Sequence, residues 1–202
     1  MITRRRAVAA FTAAALMPRA VFAAPRAGLY DCEGCEAVAE REPAALGPMV
    51  VLAADDEPGE RMVLTGRVTY PGGAPAPEVV VYAHHTDATG LYSRGGAESI
   101  WSRRHGLLRG WAKTDIDGVY GFFTIKPAPY PDMTMPAHVH LFIGEPGRPP
   151  YWIDDVVFAG EFGVDDAYRA RMENRGGSGI VTLTRDGPVW RAVRDIALEP
   201  HA

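Results

Sequence analysis

From about residue 49 onward, short runs of apolar and β-branched residues alternate with turn-forming residues. Met62-Val-Leu-Thr-Gly-Arg-Val-Thr-Tyr70 stops at Pro71-Gly72-Gly73, which predicts a strand and its end. Val79 to His85 reads as the next strand. Leu107 to Thr114 and Val119 to Ile125 flank Asp115-Ile-Asp-Gly118 and predict a hairpin. Pro136 to Ile143, Tyr151 to Phe158, Gly179 to Thr184 and Val189 to Leu198 complete the series, the last pair turning at Asp186-Gly187. One helix is expected: Asp165 or Asp166 can cap Ala167 to Asn174, and Gly176 stands where a C-terminal glycine belongs. Short strands with regular turn signals predict an all-β chain, a sandwich or a barrel.

Composition narrows the picture without changing it. The 202 residues suffice for one domain with a sizeable core. The 22 Gly and 17 Pro favour a loop-rich β architecture over a helical bundle. The formal charge of −4 and the absence of a basic stripe with interleaved aromatics argue against a nucleic-acid partner.

Residues 1–23 read as a signal peptide. Arg4-Arg5-Arg6 precede a short apolar stretch from Ala7 to Leu16, and Val21-Phe22-Ala23 offers a small-residue cleavage site. The Thr3-Arg4-Arg5 start and the weak apolar stretch resemble a twin-arginine signal; an ordinary Sec signal is the alternative. Export to the periplasm or medium is therefore expected, with no membrane association after cleavage. Removal of this segment takes four Arg and no acid, which changes the formal charge from −4 to −8. Residues 24–48 form an N-terminal arm carrying Cys32 and Cys35. In an oxidising compartment this pair is expected to form a local disulfide, with two free thiols as the alternative. Zinc would need two further ligands, and no second Cys pair exists.

The candidate chemistry begins at Pro136-Ala-His138-Val-His140. On a strand, His138 and His140 project to one face and can converge on a metal ion. The alternative is a pair of solvated histidines, although Leu141-Phe142-Ile143 behind them points into a core. A cupin also uses His-x-His, and Glu145 stands at a tolerated spacing. That pattern, however, wants Gly where this chain has Asp132 and Trp152, and it wants a second His motif downstream.

Three motifs in order carry a resemblance. They are Gly90-x-Tyr92, the run from Asp115 and Gly118 through Thr124-Ile125 and Pro127 to Tyr130-Pro131, and Pro136-x-His138-x-His140. Together with the lead-in Leu64-Thr-Gly66-Arg-Val68 to Val79, they resemble the intradiol ring-cleavage dioxygenases over roughly residues 47–160. The resemblance implies a single β-sandwich domain over 49–202, with long loops and one short helix near 165–174. It implies one non-haem Fe(III) ion held by Tyr92, Tyr130, His138 and His140. Tyr92 and His138 would be equatorial, and Tyr130 and His140 axial. It also implies a small catecholic substrate that displaces Tyr130, which acts as a catalytic base, and that reacts with O2 to give a muconate-type diacid. Ferric iron is a hard acid, and two phenolates are donors it favours. Oligomeric state is left open.

The chain departs from the family's pattern in one place. Relatives usually carry an Arg between the second Tyr and the first His, yet residues 131–137 contain none. The Gln that commonly follows is missing from the whole chain, and Asp154-Asp155 stand nearby. Loss of a guanidinium removes positive charge where negative charge develops. Lys126 or Arg109 is a conceivable substitute, and Arg109 otherwise reads as a structural or surface residue. Of His84 and His85, one must face inward on a regular strand, and either can line the cavity; a solvated turn is the preferred reading. The alternatives to an active enzyme are an iron-binding relative without turnover and a secreted sandwich module that binds aromatics or carbohydrate.

Overall fold

The computed structural model describes residues 24–94 and 99–201, so the expected signal peptide lies outside the described residues. Among the described residues, eleven strands form two sheets. They are β1 (Met49–Val51), β2 (Arg61–Thr69), β3 (Val80–His85), β4 (Arg109–Lys113), β5 (Val119–Ile125), β6 (His138–Gly144), β7 (Tyr151–Phe158), β8 (Ile180–Val181), β9 (Thr184–Asp186), β10 (Val189–Val193) and β11 (Ile196–Ala197). One sheet runs β1-β5-β2-β10-β9 with β11 also paired to β2; the other runs β4-β3-β6-β7-β8. The result is an all-β sandwich.

Period-two alternation builds the core between the sheets. Met62, Leu64 and Val68 of β2 and Tyr120 and Phe122 of β5 face Val81, Ala83, Val139, Leu141 and Ile143 of the second sheet. The third inward position of β2 is Gly66, where a Cβ would lie 1.9 Å from the Arg194 carbonyl oxygen. That carbonyl accepts a 2.7 Å hydrogen bond from Tyr120 Oη, and the β10–β11 segment runs beside β2, paired parallel to it on either side of Arg194. The Arg194 side chain is itself buried. It donates to the carbonyls of Gly176, Asp195, Arg175 and Gly177 at 2.7–3.2 Å.

Two expectations are corrected. The segments flanking Asp115–Gly118 do not pair as a hairpin, because β4 pairs with β3 and β5 pairs with β2. The turn itself is tight, with Gly118 N donating to Asp115 O at 2.9 Å. Thr114 nevertheless ties the end of β4 to Val79, and the chain crosses to the opposite sheet. Nor is the end of β3 solvated: His84 and His85 are 4% and 1% exposed. Strand β3 is covered on both faces, by the opposite sheet on one side and by the arm on the other.

The arm makes a second layer. Cys32 and Cys35 are joined in a disulfide. The 3-10 turn Cys35–Glu40 lays Ala37 and Val38 against Val80, Tyr82, Trp111 and Phe142. Trp111 Nε1 donates to Ala37 O, and Arg175 Nη2 to Leu29 O, both at 2.8 Å. Helix α1 (Ile100–His105) was not anticipated. It is too short to show a period, and it rests on a capping box between Ser99 and Ser102. Helix α2 (Asp166–Arg171), capped by Asp165, is shorter than expected and ends before Gly176.

Candidate metal centre

Strand β6 sends Val139, Leu141 and Ile143 into the core, so His138 and His140 emerge on the outer face of their sheet. Opposite them, the register of β7 shifts. Val139 faces Val156 and Leu141 faces Ile153, which leaves Asp154 and Asp155 opposite the single residue His140. This bulge lets Ile153 and Val156 both turn inward and sends two consecutive carboxylates outward. Asp154 accepts from the backbone N–H groups of Asn174 and Arg175, whereas Asp155 Oδ1 lies 2.9 Å from His140 Nδ1.

The tyrosines arrive on two interlocked loops. Thr86 Oγ1 donates to Ala128 O at 2.8 Å and Ala128 N to Asp87 O at 3.2 Å, joining the start of the Tyr92 loop to the Tyr130 loop. The Asp87 carboxylate receives Thr89 and the backbone N–H of Leu91, which shapes the turn. Burial raises its pKa, but these donors outweigh that and hold it below the usual carboxylate value. Gly90 sits at φ 81°, and a Cβ there would lie 2.0 Å from Pro129 O. Only glycine lets the two loops approach this closely.

Four donor atoms therefore gather. Tyr92 Oη lies 3.0 Å from Tyr130 Oη and 3.0 Å from His140 Nε2. His138 Nε2 lies 3.0 Å from His140 Nε2 and 3.4 Å from Tyr130 Oη. His138 Nδ1 is 2.7 Å from the Pro136 carbonyl, which can only accept, so that nitrogen carries the proton. His140 Nδ1 likewise donates to the Asp155 carboxylate. The two Nε2 atoms then face each other at 3.0 Å, where a shared cation, a proton or a metal ion, fits between them. Donors held about 2.0–2.1 Å from one first-row metal ion lie about 2.8–3.4 Å apart, as these do. His138, His140 and Asp155 also group as a candidate metal cluster. Burial, and then the Tyr130 hydroxyl, push the Tyr92 phenol far above its ordinary pKa, so a cation is needed to make it a phenolate. Burial, and then His140, lower the pKa of His138, which leaves it neutral and able to bind metal.

A wider histidine layer surrounds this centre. His84 stacks on His105 with centroids 4.0 Å apart and makes a tilted contact with His140 at 4.5 Å. Tyr82 Oη meets His105 Nδ1 at 2.8 Å. A cavity of about 560 Å³ opens beside His84, His105, His140 and Asp155, reaching Trp152 and, on α2, Tyr168 and Arg171. His85 points the other way, into the sandwich, and bonds Thr124 Oγ1 at 2.7 Å. Arg109 is tied to Glu40 and lies over Trp111, and Lys126 is tied to Glu161, so both basic residues are structural. Sequence reading passed over His105 and misjudged His84. The latter could have been found by extending the buried Val80, Tyr82 face of β3 by two residues. The Asp155 contact depends on a bulge that has no local signature.

A protein-family model described as Dioxygenase matches residues 37–175. Catechol 1,2-dioxygenase 1 of Acinetobacter lwoffii is 35% identical over 107 residues, covering 44% of this chain and 33% of that protein. The protocatechuate 3,4-dioxygenase beta chain of Burkholderia cepacia is 35% identical over 89 residues, 41% of this chain and 38% of that one. The chain thus spans between a third and two fifths of the length of these relatives. A solved dioxygenase domain from Streptomyces sp. SirexAA-E shares the fold. It has a TM-score of 0.60 and 24% identity, over 76% of this chain and 89% of that one. With well over half its length matched by the family model, the chain belongs to the intradiol dioxygenase family.

Proposed function

We propose that the protein is an exported Fe(III)-dependent intradiol dioxygenase that cleaves the ring of a catechol with O2. The observation that carries this reading is the convergence of two phenol oxygens and two imidazole nitrogens within 3.0–3.4 Å of their neighbours. A ferric ion bound there would supply Lewis-acid activation of a chelated catecholate toward O2. His138 and His140 each present Nε2 to the cluster, fixed from behind by Nδ1–H. Tyr130 is the exchangeable donor that the family resemblance implies; its Oη lies 3.0 Å from Tyr92 Oη and 3.4 Å from His138 Nε2. Displaced by substrate, its phenolate oxygen would take the proton of a catechol hydroxyl. The cavity beside His140 offers Phe142 and Trp152 as apolar walls for a ring. Export is supported by the arginine-led N-terminus and by the Cys32–Cys35 disulfide, which suits an oxidising compartment.

A second reading, an iron-binding relative without turnover, is favoured by one observation. The interval 131–137 has no Arg, and both Arg109 and Lys126 are committed to ion pairs. Oxygen-electrode traces with catechol, hydroxyquinol and protocatechuate separate the two. Uptake matched by a muconate-type product supports the enzyme, and silence with all three from an iron-loaded protein supports the relative.

A further inference from the structure

We propose that Asp155 is a positioning residue: placed by the β7 bulge, its carboxylate holds His140 in the Nδ1–H form, so that Nε2 points at the donor cluster. Its role toward a metal rests on the ferric reading above, but its role toward His140 does not. Without the extra residue in β7, strict alternation would carry one of the two carboxylates into the apolar core beside Ile153 and Val156. With it, both emerge, and they divide the work. Asp154 is occupied by two backbone N–H groups, which leaves Asp155 to meet His140 Nδ1 at 2.9 Å. His84 packs against His140 in a tilted contact, with centroids 4.5 Å apart and planes 31° apart, which limits the ring's position without fixing which nitrogen points at the cluster. Rotation about the remaining bond is therefore set by Asp155. His138 is fixed by the Pro136 carbonyl, a neutral acceptor, so the two histidines are not equivalent donors.

A charge argument follows from the same contact. A carboxylate behind an imidazole strengthens the imidazole as a donor. Tyr92 and Tyr130 as phenolates, together with Asp155, carry three negative charges. The chain's own groups thus match a trivalent ion and leave excess negative charge around a divalent one.

The test compares wild type with Asp155→Asn and Asp155→Ala. The amide oxygen of Asn can still accept from Nδ1–H but lacks the charge, whereas Ala removes both. The first readout needs no metal: the ¹⁵N shifts of the His140 ring in metal-free protein. Wild type is expected to show protonated Nδ1 and bare Nε2, Asn to keep that pattern, and Ala to lose it. The second readout is Fe(III) retention against nitrilotriacetate. A loss of about tenfold for Asn and about a hundredfold for Ala is expected, with the visible band moved to longer wavelength. Unchanged His140 shifts in Asp155→Ala overturn the proposal, whatever the iron does. A wild type that binds no iron but whose His140 tautomer depends on Asp155 upholds the positioning role and removes the ferric reading instead. The urea midpoint of the metal-free variants identifies any general loss of fold.

Discussion

Lowering the pH from 7 to 5 should destabilise the metal-free protein sharply, and His85 allows the size to be worked out. It is 1% exposed, lies between the sheets, and has contacts to Thr124 Oγ1 and the Thr86 carbonyl at 2.7 Å. Burial lowers its pKa from 6.5 to about 4. The folded state therefore keeps it neutral while the unfolded chain takes up a proton, so stability rises with pH through this window. The contribution is present above pH 6.5 and is lost as the pH falls toward 4. At about 1.4 kcal/mol per pKa unit the full loss is about 3 kcal/mol, of which about 2 has gone by pH 5. His105, also lowered to about 4 by burial, adds a loss of the same sign. Against a typical domain stability of about 5–15 kcal/mol this is a large effect. Urea unfolding of metal-free protein at pH 7 and pH 5 reads it directly. His85→Gln, which can keep the Thr124 contact but does not titrate, should recover about 2 kcal/mol of the pH dependence. Equal stability at the two pH values, or an unchanged slope in His85→Gln, would refute the assignment of a buried neutral imidazole.

Three further outcomes are expected. Gly90→Ala should separate the Tyr92 and Tyr130 loops, because its Cβ would meet Pro129 O at 2.0 Å; iron retention should fall at least tenfold and stability by about 1–3 kcal/mol, as metal analysis and calorimetry would show. Arg194→Met should cost about 3–5 kcal/mol in urea unfolding, since it strands the carbonyls that the buried guanidinium now satisfies. Ferric binding should release close to two protons, because Tyr92 and Tyr130 must both ionise; affinity should therefore rise with pH by up to two decades per unit, and calorimetry in buffers of different ionisation enthalpy counts the protons.

Much of the fold was legible because period two is a strong signal where one face of a strand is buried. Strands β2, β5, β6 and β7 lie within two residues of their sequence-based bounds. The pairing of β4 with β5 was misread because an Asp-x-Asp-Gly turn looks the same whether its flanks share a sheet or part to opposite sheets. Burial of His84 was missed for a related reason. The His105 ring that stacks on it comes from α1, 21 residues further along the chain, a helix too short to be anticipated. At the candidate centre, the spacing of His138 and His140 fixes their common face, and residue order supplied the two tyrosines through resemblance. Asp155 could not be reached in this way. Its place depends on one extra residue in β7, and no local pattern in Tyr151–Phe158 marks where the strand absorbs it.

The most direct measurement is the visible spectrum of the iron-loaded protein beside Tyr92→Phe, His138→Ala and His140→Ala. Phenolate bound to ferric iron absorbs visible light through charge transfer. The expected result is therefore a red protein whose band shifts on addition of catechol and fades in all three variants. A protein that takes up ferric iron with no such band, or with a band that survives Tyr92→Phe unchanged, would contradict the four-donor centre.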